Sequence, residues 1–433
     1  MAAVYINSRT KCLYYSVLVS SVSQSEIDNQ QLTMSVALAW PAIRSHPSSA
    51  GIHSPREFEL ILAASSCRPG TDISAQIAAL LAEEMDWSLV ISLATRHGVI
   101  PFLYTSLAAH SAEIPPKPFA LVTAKIESNT RQALWLTSLL GRVLDALQSH
   151  AVQALPYKGP VLSKLLYDNA ARRQFSDIDI LVRPADLPRA KIILKEIGLE
   201  PRLHLMGAAE DAYLASGYEY SFDGFGQKNI LELQWRVLPR FYAVDFDIDS
   251  FFLRAHAVTL NERQVHTLGR EDLLLVLCMH AAKHVWGRLS WIRDIADLAA
   301  AGPCDWGHVL RQAELLGITR ILGISFFLAE ALLGAAVPPA LETLIRNKEV
   351  QHLGSEVLRA VVEFEDWDTD SMPYFRRMAS LRERSSDRLR FFARLAFTPS
   401  VSEWMLLRLP AALFPLYRVI RLFRLGAKLL RIT

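Results

Sequence analysis

The sequence predicts an α+β fold: a small mixed sheet flanked by amino-terminal and carboxy-terminal helical regions. Three observations predict it. Apolar residues recur at helical spacing from about residue 55 to 150, and again beyond about residue 262. Between them lie short alternating runs: Asp177-Ile-Asp179-Ile-Leu-Val182, Tyr218-Glu-Tyr-Ser-Phe222 and Asn229-Ile-Leu-Glu-Leu-Gln-Trp235. A strand–helix–strand order followed by a hairpin gives a small mixed sheet rather than a long parallel one.

With 433 residues the chain has room for about three units at ~150 residues each. Hydrophobic residues make up 51% and charged residues 21%, a globular composition that excludes a disordered chain. A net charge of +2 gives no global signal for nucleic acid. Cys12, Cys67, Cys278 and Cys304 lie far apart, which suggests neither a disulfide framework nor a zinc knuckle and suits a reducing compartment. No window reaches the ~18–20 apolar residues of a membrane span, and the first apolar stretch, broken by Lys11 and Cys12, is not expected to act as a signal peptide. The expected organisation is an irregular or disordered leader (1–54), an amino-terminal helical region (55–150), an α/β core (151–260), a carboxy-terminal helical domain (261–400) and a basic amphipathic tail (401–433).

Taken in order, Asp86-Trp87 opens a helix that ends before His97-Gly98, and Pro101 starts another. Glu113-Ile-Pro-Pro-Lys-Pro118 reads as a break that no helix crosses. Residues 121–149 then form one long amphipathic helix, with Leu136, Leu140, Val143 and Leu147 on its buried side. Val152 to Pro156 is a first short strand. Pro184 to Gly198 is a helix with proline near its start and glycine at its end. Asp223-Gly-Phe-Gly226 supplies the turn between two hairpin strands. From Arg270 to His284 the apolar run is again a helix, with acidic residues at its start.

The chemistry concentrates in residues 155–182. Lys158-Gly159-Pro160 precedes a helical run, and proline suits a first helical turn because no partner for its nitrogen is needed there. The helix start offers free backbone N–H groups and a positive dipole end, a place for phosphate. In the strand that follows, Asp177 and Asp179 face the same side, while Ile178 and Ile180 turn into a core. Adjacent carboxylates repel unless a cation joins them, and Mg²⁺ takes carboxylate oxygens while leaving sites for phosphate.

This run of Lys-Gly, helix, arginine and Ser-Asp-Ile-Asp-Ile-Leu-Val resembles the polymerase-beta-type nucleotidyltransferase superfamily. It is most similar to the uncharacterised bacterial members that carry Lys-Gly in place of Gly-Ser. The resemblance implies a nucleotidyltransferase-like sheet and a Mg²⁺-dependent transfer of a nucleoside monophosphate from an NTP such as ATP to an unidentified acceptor. It implies one or two Mg²⁺ held by Asp177, Asp179 and Glu232, with these three residues catalytic. Lys158, Gly159, Arg172, Arg173, Lys283 and His284 are the candidates for nucleotide and phosphate contacts. Where similar sequences carry a histidine after the glutamate, this chain has Gln234, and Lys-Gly leaves no hydroxyl at the phosphate turn. A catalytically inactive nucleotide-binding or accessory protein in polysaccharide or peptide natural-product assembly is therefore the alternative.

Each candidate has a plainer reading. Asp177 and Asp179 could be solvated on a strand edge, Glu232 could pair with Arg236, and Lys158 could be a surface lysine. Arg172 and Arg173 could merely balance nearby acids. His280 and His284 lie one helical turn apart, but the glutamate of a zinc-protease motif is missing and no third ligand is evident; Lys283, His284 and Asp294 line the active cleft from the helical domain or pin two helices together. The tail, 404–433, carries six basic residues and no acidic one. It reads as a helical hairpin with solvated arginines, or as an interfacial helix at an anionic membrane. Nucleic acid is the weakest reading, since the interleaved residues are aliphatic. The expected location is cytoplasmic, with peripheral contact at the inner membrane face as the variant.

Overall fold

A computed structural model of the chain describes residues 54–68, 73–407 and 409–430. The expected leader lies almost wholly outside them. The fold is α+β, and the strand order of its main sheet is β1-β2-β5-β4-β3. These strands are β1 (Ala154–Pro156), β2 (Ile178–Val182), β3 (Leu199–Pro201), β4 (Glu219–Gly224) and β5 (Gln227–Gln234). β4 and β5 form the expected antiparallel hairpin. β5 also lies parallel to β2, placing Glu232 beside Asp179.

Alternation divides the sheet into two chemically different faces. Ile178, Ile180, Leu231, Leu233, Tyr220 and Phe222 share one face. They pack against Leu136, Leu140 and Val143 of α1 (Pro116–Ser149), with Ala190, Ile193 and Leu194 of α3 (Leu187–Glu196) in the same core. The opposite face carries Asp179, Glu232, Gln234 and Glu219. Between β1 and β2 runs α2 (Gly159–Tyr167), which opens at the Lys158-Gly159 turn.

The helices before and after the sheet share a second core. Phe58, Val90 and Phe102 from the amino-terminal side join Leu274 of α4 (Arg270–Lys283), Ile292 of α5 (Leu289–Ala300) and Phe327 of α6 (Thr319–Leu333). Leu155, Tyr157 and Leu181 of the sheet region belong to this cluster too.

Two expectations are corrected. α1 begins at Pro116, inside the proline-rich stretch, because prolines in a first turn give up no intrahelical bond. The chain beyond residue 262 is not helical at once: β6 (His256–Leu260) and β7 (Arg263–Thr267) form a hairpin. Its turn residues, Asn261 and Glu262, both have positive φ, as a two-residue hairpin requires.

Candidate functional site

Four carboxylates gather on the polar face of the sheet. Asp179 on β2 is paired in register with Glu232 on β5, and Glu232 with Ser221 on β4. Glu219 stands two residues before Ser221, opposite Gln234. Asp177 immediately precedes β2, and the charges of Asp179 and Glu232 both act on it. Burial first, then these two neighbours, push the Asp177 carboxyl up to about 7. Burial and the charge of Glu232 likewise lift Glu219, although Lys283 and the Tyr218 hydroxyl oppose the rise.

Lys158 is the cation set among these acids. Its Nζ donates to Asp179 Oδ1 at 2.5 Å, with Asp179 only 3% exposed. Burial alone would neutralise the ammonium, but Asp179 and the surrounding acids more than offset it and hold the lysine charged. Gln234 connects the cluster: its Nε2 donates to Glu232 Oε2 at 2.9 Å, and reaches Asp179 Oδ1 at 3.3 Å and Glu219 Oε2 at 3.5 Å. The Tyr157 hydroxyl donates to its Oε1. That bond fixes which end of the amide faces the acids. Tyr218 donates to Glu219 Oε1 at 2.6 Å.

Gly159 explains the tight approach of the α2 start to β2. Its φ is +55°, and a Cβ there would lie 3.0 Å from the Asp177 carbonyl oxygen. The helix tip therefore packs directly on the backbone that leads into the acidic strand.

The remaining sequence candidates divide. Arg173 is buried and donates from Nε to both oxygens of Asp294, at 3.1 and 2.9 Å. Burial raises Asp294 to about 6 even against this arginine. The close geometry at both oxygens, with Arg173 itself shifted upward, identifies an ionised pair that ties the loop before β2 to α5. Arg172 points elsewhere, donating to Thr105 Oγ1 at 2.8 Å and lying over Phe102. Lys283 acts on Glu219, and His284 stacks at 4.9 Å on Trp291. Burial and the nearby lysines push His284 down to about 3 and His280 well below the usual range, so both rings are neutral near pH 7. They are hydrogen-bonding groups, not cations.

A cleft of about 350 Å³ adjoins this cluster, with Tyr218, Arg240, Phe241, Lys283, His284 and Phe375 among its walls. A larger hollow along Ile114, Phe119 and Thr123 lies away from the carboxylates. Among the described residues no three His, Cys, Asp or Glu side chains stand together as a ready metal cage. The donor set nonetheless suits a hard divalent cation, because several carboxylates are buried together here and burial, then Asp179 and Glu232, shift Asp177 upward. Lys158 now partly serves that charge.

Sequence reasoning did not single out Glu219. The signal was present: in Glu219-Tyr-Ser-Phe, Tyr220 and Phe222 turn into the core, so Glu219 must face the same way as Glu232. Gln234, read as a departure, proves to be the amide that joins the acids.

A family model described as uncharacterised nucleotidyltransferase matches residues 83–334. A crystal structure of an antigenic nucleotidyltransferase-like protein from Paracoccidioides brasiliensis is similar at 16% identity and a TM-score of 0.28, covering 48% of this chain and 96% of that one. No curated protein matches.

Proposed function

Because the chain belongs to the uncharacterised nucleotidyltransferase family, we propose that it moves a nucleoside monophosphate from an NTP to an acceptor hydroxyl, releasing pyrophosphate. The observation that carries this reading is the register pairing of Asp179 with Glu232, beside Asp177 and directly against the glycine-opened start of α2. Asp177, Asp179 and Glu232 would hold one or two Mg²⁺. The chemistry such a cation would supply is compensation of the charge on the triphosphate.

The chain's own groups supply the rest. Lys158 would exchange Asp179 for a phosphate oxygen, a change open to a flexible ammonium. The backbone at Gly159 allows close approach of phosphate to the α2 tip. Glu232 would complete the metal site or, as the base, take the proton of the attacking hydroxyl as the new oxygen–phosphorus bond forms and the bond to pyrophosphate breaks. Lys283 and the neutral His284 would contact the ligand from the cleft. Catalysis of this kind is mainly alignment and charge compensation.

The test uses purified full-length chain, each labelled NTP in turn, and Mg²⁺, with released pyrophosphate and labelled product as readouts. Asp179→Asn should abolish release while leaving the circular dichroism spectrum unchanged. Full release by that variant would remove the carboxylates from the reaction.

A further inference from the structure

The helix α8 (Leu416–Leu430) sits on the body the wrong way round for a water-soluble surface. Tyr417 and Arg421 face inward, at 2% and 3% exposure. Arg421 donates from Nε to the Leu395 carbonyl at 3.1 Å, and it shares the fully buried Glu403 with Arg424. Two of the arginines expected in solvent, Arg421 and Arg424, thus lie on the docked side, with Ile420 and Leu425 packed beside them. The outward side carries Leu416, Val419 and Phe423, at 42%, 43% and 75% exposure, spaced as one helical stripe, with Leu422 beside them.

An amphipathic helix normally buries its apolar stripe. Here the body takes Tyr417, Ile420 and Leu425 together with Arg421 and Arg424, and leaves the Leu416–Val419–Phe423 stripe bare. The helix α7 (Ser385–Phe397) packs against α8 and adds exposed Leu389, Phe392 and Phe397. Arg388 and Arg418 are exposed on the same two helices. From Arg388 to the end of the chain, Glu403 is the single acidic side chain, and it is buried.

We propose that this face seats on an anionic lipid surface. The apolar stripe would enter the boundary between headgroups and acyl chains, while the arginines meet lipid phosphate. Charge complementarity selects this occupant. A second copy would bring arginine against arginine across a two-fold axis, with no exposed carboxylate from these helices to answer it. The proposal is independent of the transfer reaction.

Vesicle flotation of the full-length chain tests it, using phosphatidylcholine alone and phosphatidylcholine mixed with phosphatidylglycerol. The chain should float with the mixed vesicles, weakly with the neutral ones, and less as salt rises. The double variant Val419→Ser/Phe423→Ser should partition at least about tenfold more weakly, since two buried apolar side chains are lost. Its melting temperature should be unchanged, because both side chains face solvent. If the pair does lower it, Arg418→Glu carries the test and should weaken binding to the mixed vesicles at least about fivefold. Absence of flotation, or equal flotation by the variants, overturns the proposal. So does concentration-dependent self-association that the double variant abolishes in the absence of vesicle binding, which would assign the face to a second copy.

Discussion

Asp177→Asn offers a test of the site that needs no substrate. In the folded chain the Asp177 carboxyl titrates at about 7, against an ordinary 3.8, chiefly through burial and then through Asp179 and Glu232. Folding therefore favours its protonated form. That contribution is complete below the unfolded value and is lost as pH rises through the folded one. Each pKa unit corresponds to about 1.4 kcal/mol, so the two units between about pH 5 and about pH 7 amount to roughly 3 kcal/mol as a ceiling. Glu232 and Asp179 share the charge, so about 1–3 kcal/mol is the expected range. Asparagine keeps the shape and never ionises. Urea unfolding of wild type and variant should give a stability difference that grows in the variant's favour by this amount from about pH 5 to about pH 8. Comparing differences cancels the opposite contribution of His280 and His284, which are neutral when folded and charge on unfolding. Saturating Mg²⁺ should narrow the gap, by stabilising ionised Asp177. A difference that stays constant with pH would refute the claim that folding holds the Asp177 carboxyl protonated.

Two further outcomes follow from the same geometry. Lys158→Met leaves Asp179 buried beside Glu232 without its ammonium, and should cost about 3–5 kcal/mol in urea unfolding near neutral pH; added Mg²⁺ should restore more stability to this variant than to wild type, and equal restoration would show that Lys158 and the metal do not compete. Gly159→Ala should lower stability by about 1–2 kcal/mol, from its left-handed backbone and the 3.0 Å approach to the Asp177 carbonyl oxygen, and should slow pyrophosphate release; a thermal melt and a rate matching wild type would show that the close contact of the helix tip with the acidic strand is not needed.

Much of this arrangement could be read from local pattern. Asp177-Ile-Asp179-Ile alternates, so its carboxylates had to share a face. Asp223-Gly-Phe-Gly226 had to turn, so β4 and β5 had to pair. What local pattern does not contain is which strand lies beside which. Parallel pairing of β2 with β5 joins residues about fifty apart in sequence, and only that pairing sets Glu232 at Asp179 and Gln234 within reach of three acids. Glu219 is different: the expected hairpin and the alternation of Tyr220 and Phe222 already set it on the face of Glu232, opposite Gln234. The β6–β7 hairpin was missed because Asn261-Glu262 lacks the glycine that usually marks such a turn. The seating of α8 was hidden more deeply. Its amphipathic pattern is unmistakable, yet the pattern does not say which side the body takes, and Glu403 decides that.

The core shared by the first and last helices bears on how the chain is made. Phe58, Val90 and Phe102 find their partners Leu274, Ile292 and Phe327 only after more than a hundred intervening residues have been synthesised. Closing so long a loop costs entropy before any contact repays it. The faces of the amino-terminal helices that meet this core therefore depend for burial on helices far later in the chain, and the Arg173–Asp294 pair adds a polar tie across the same junction.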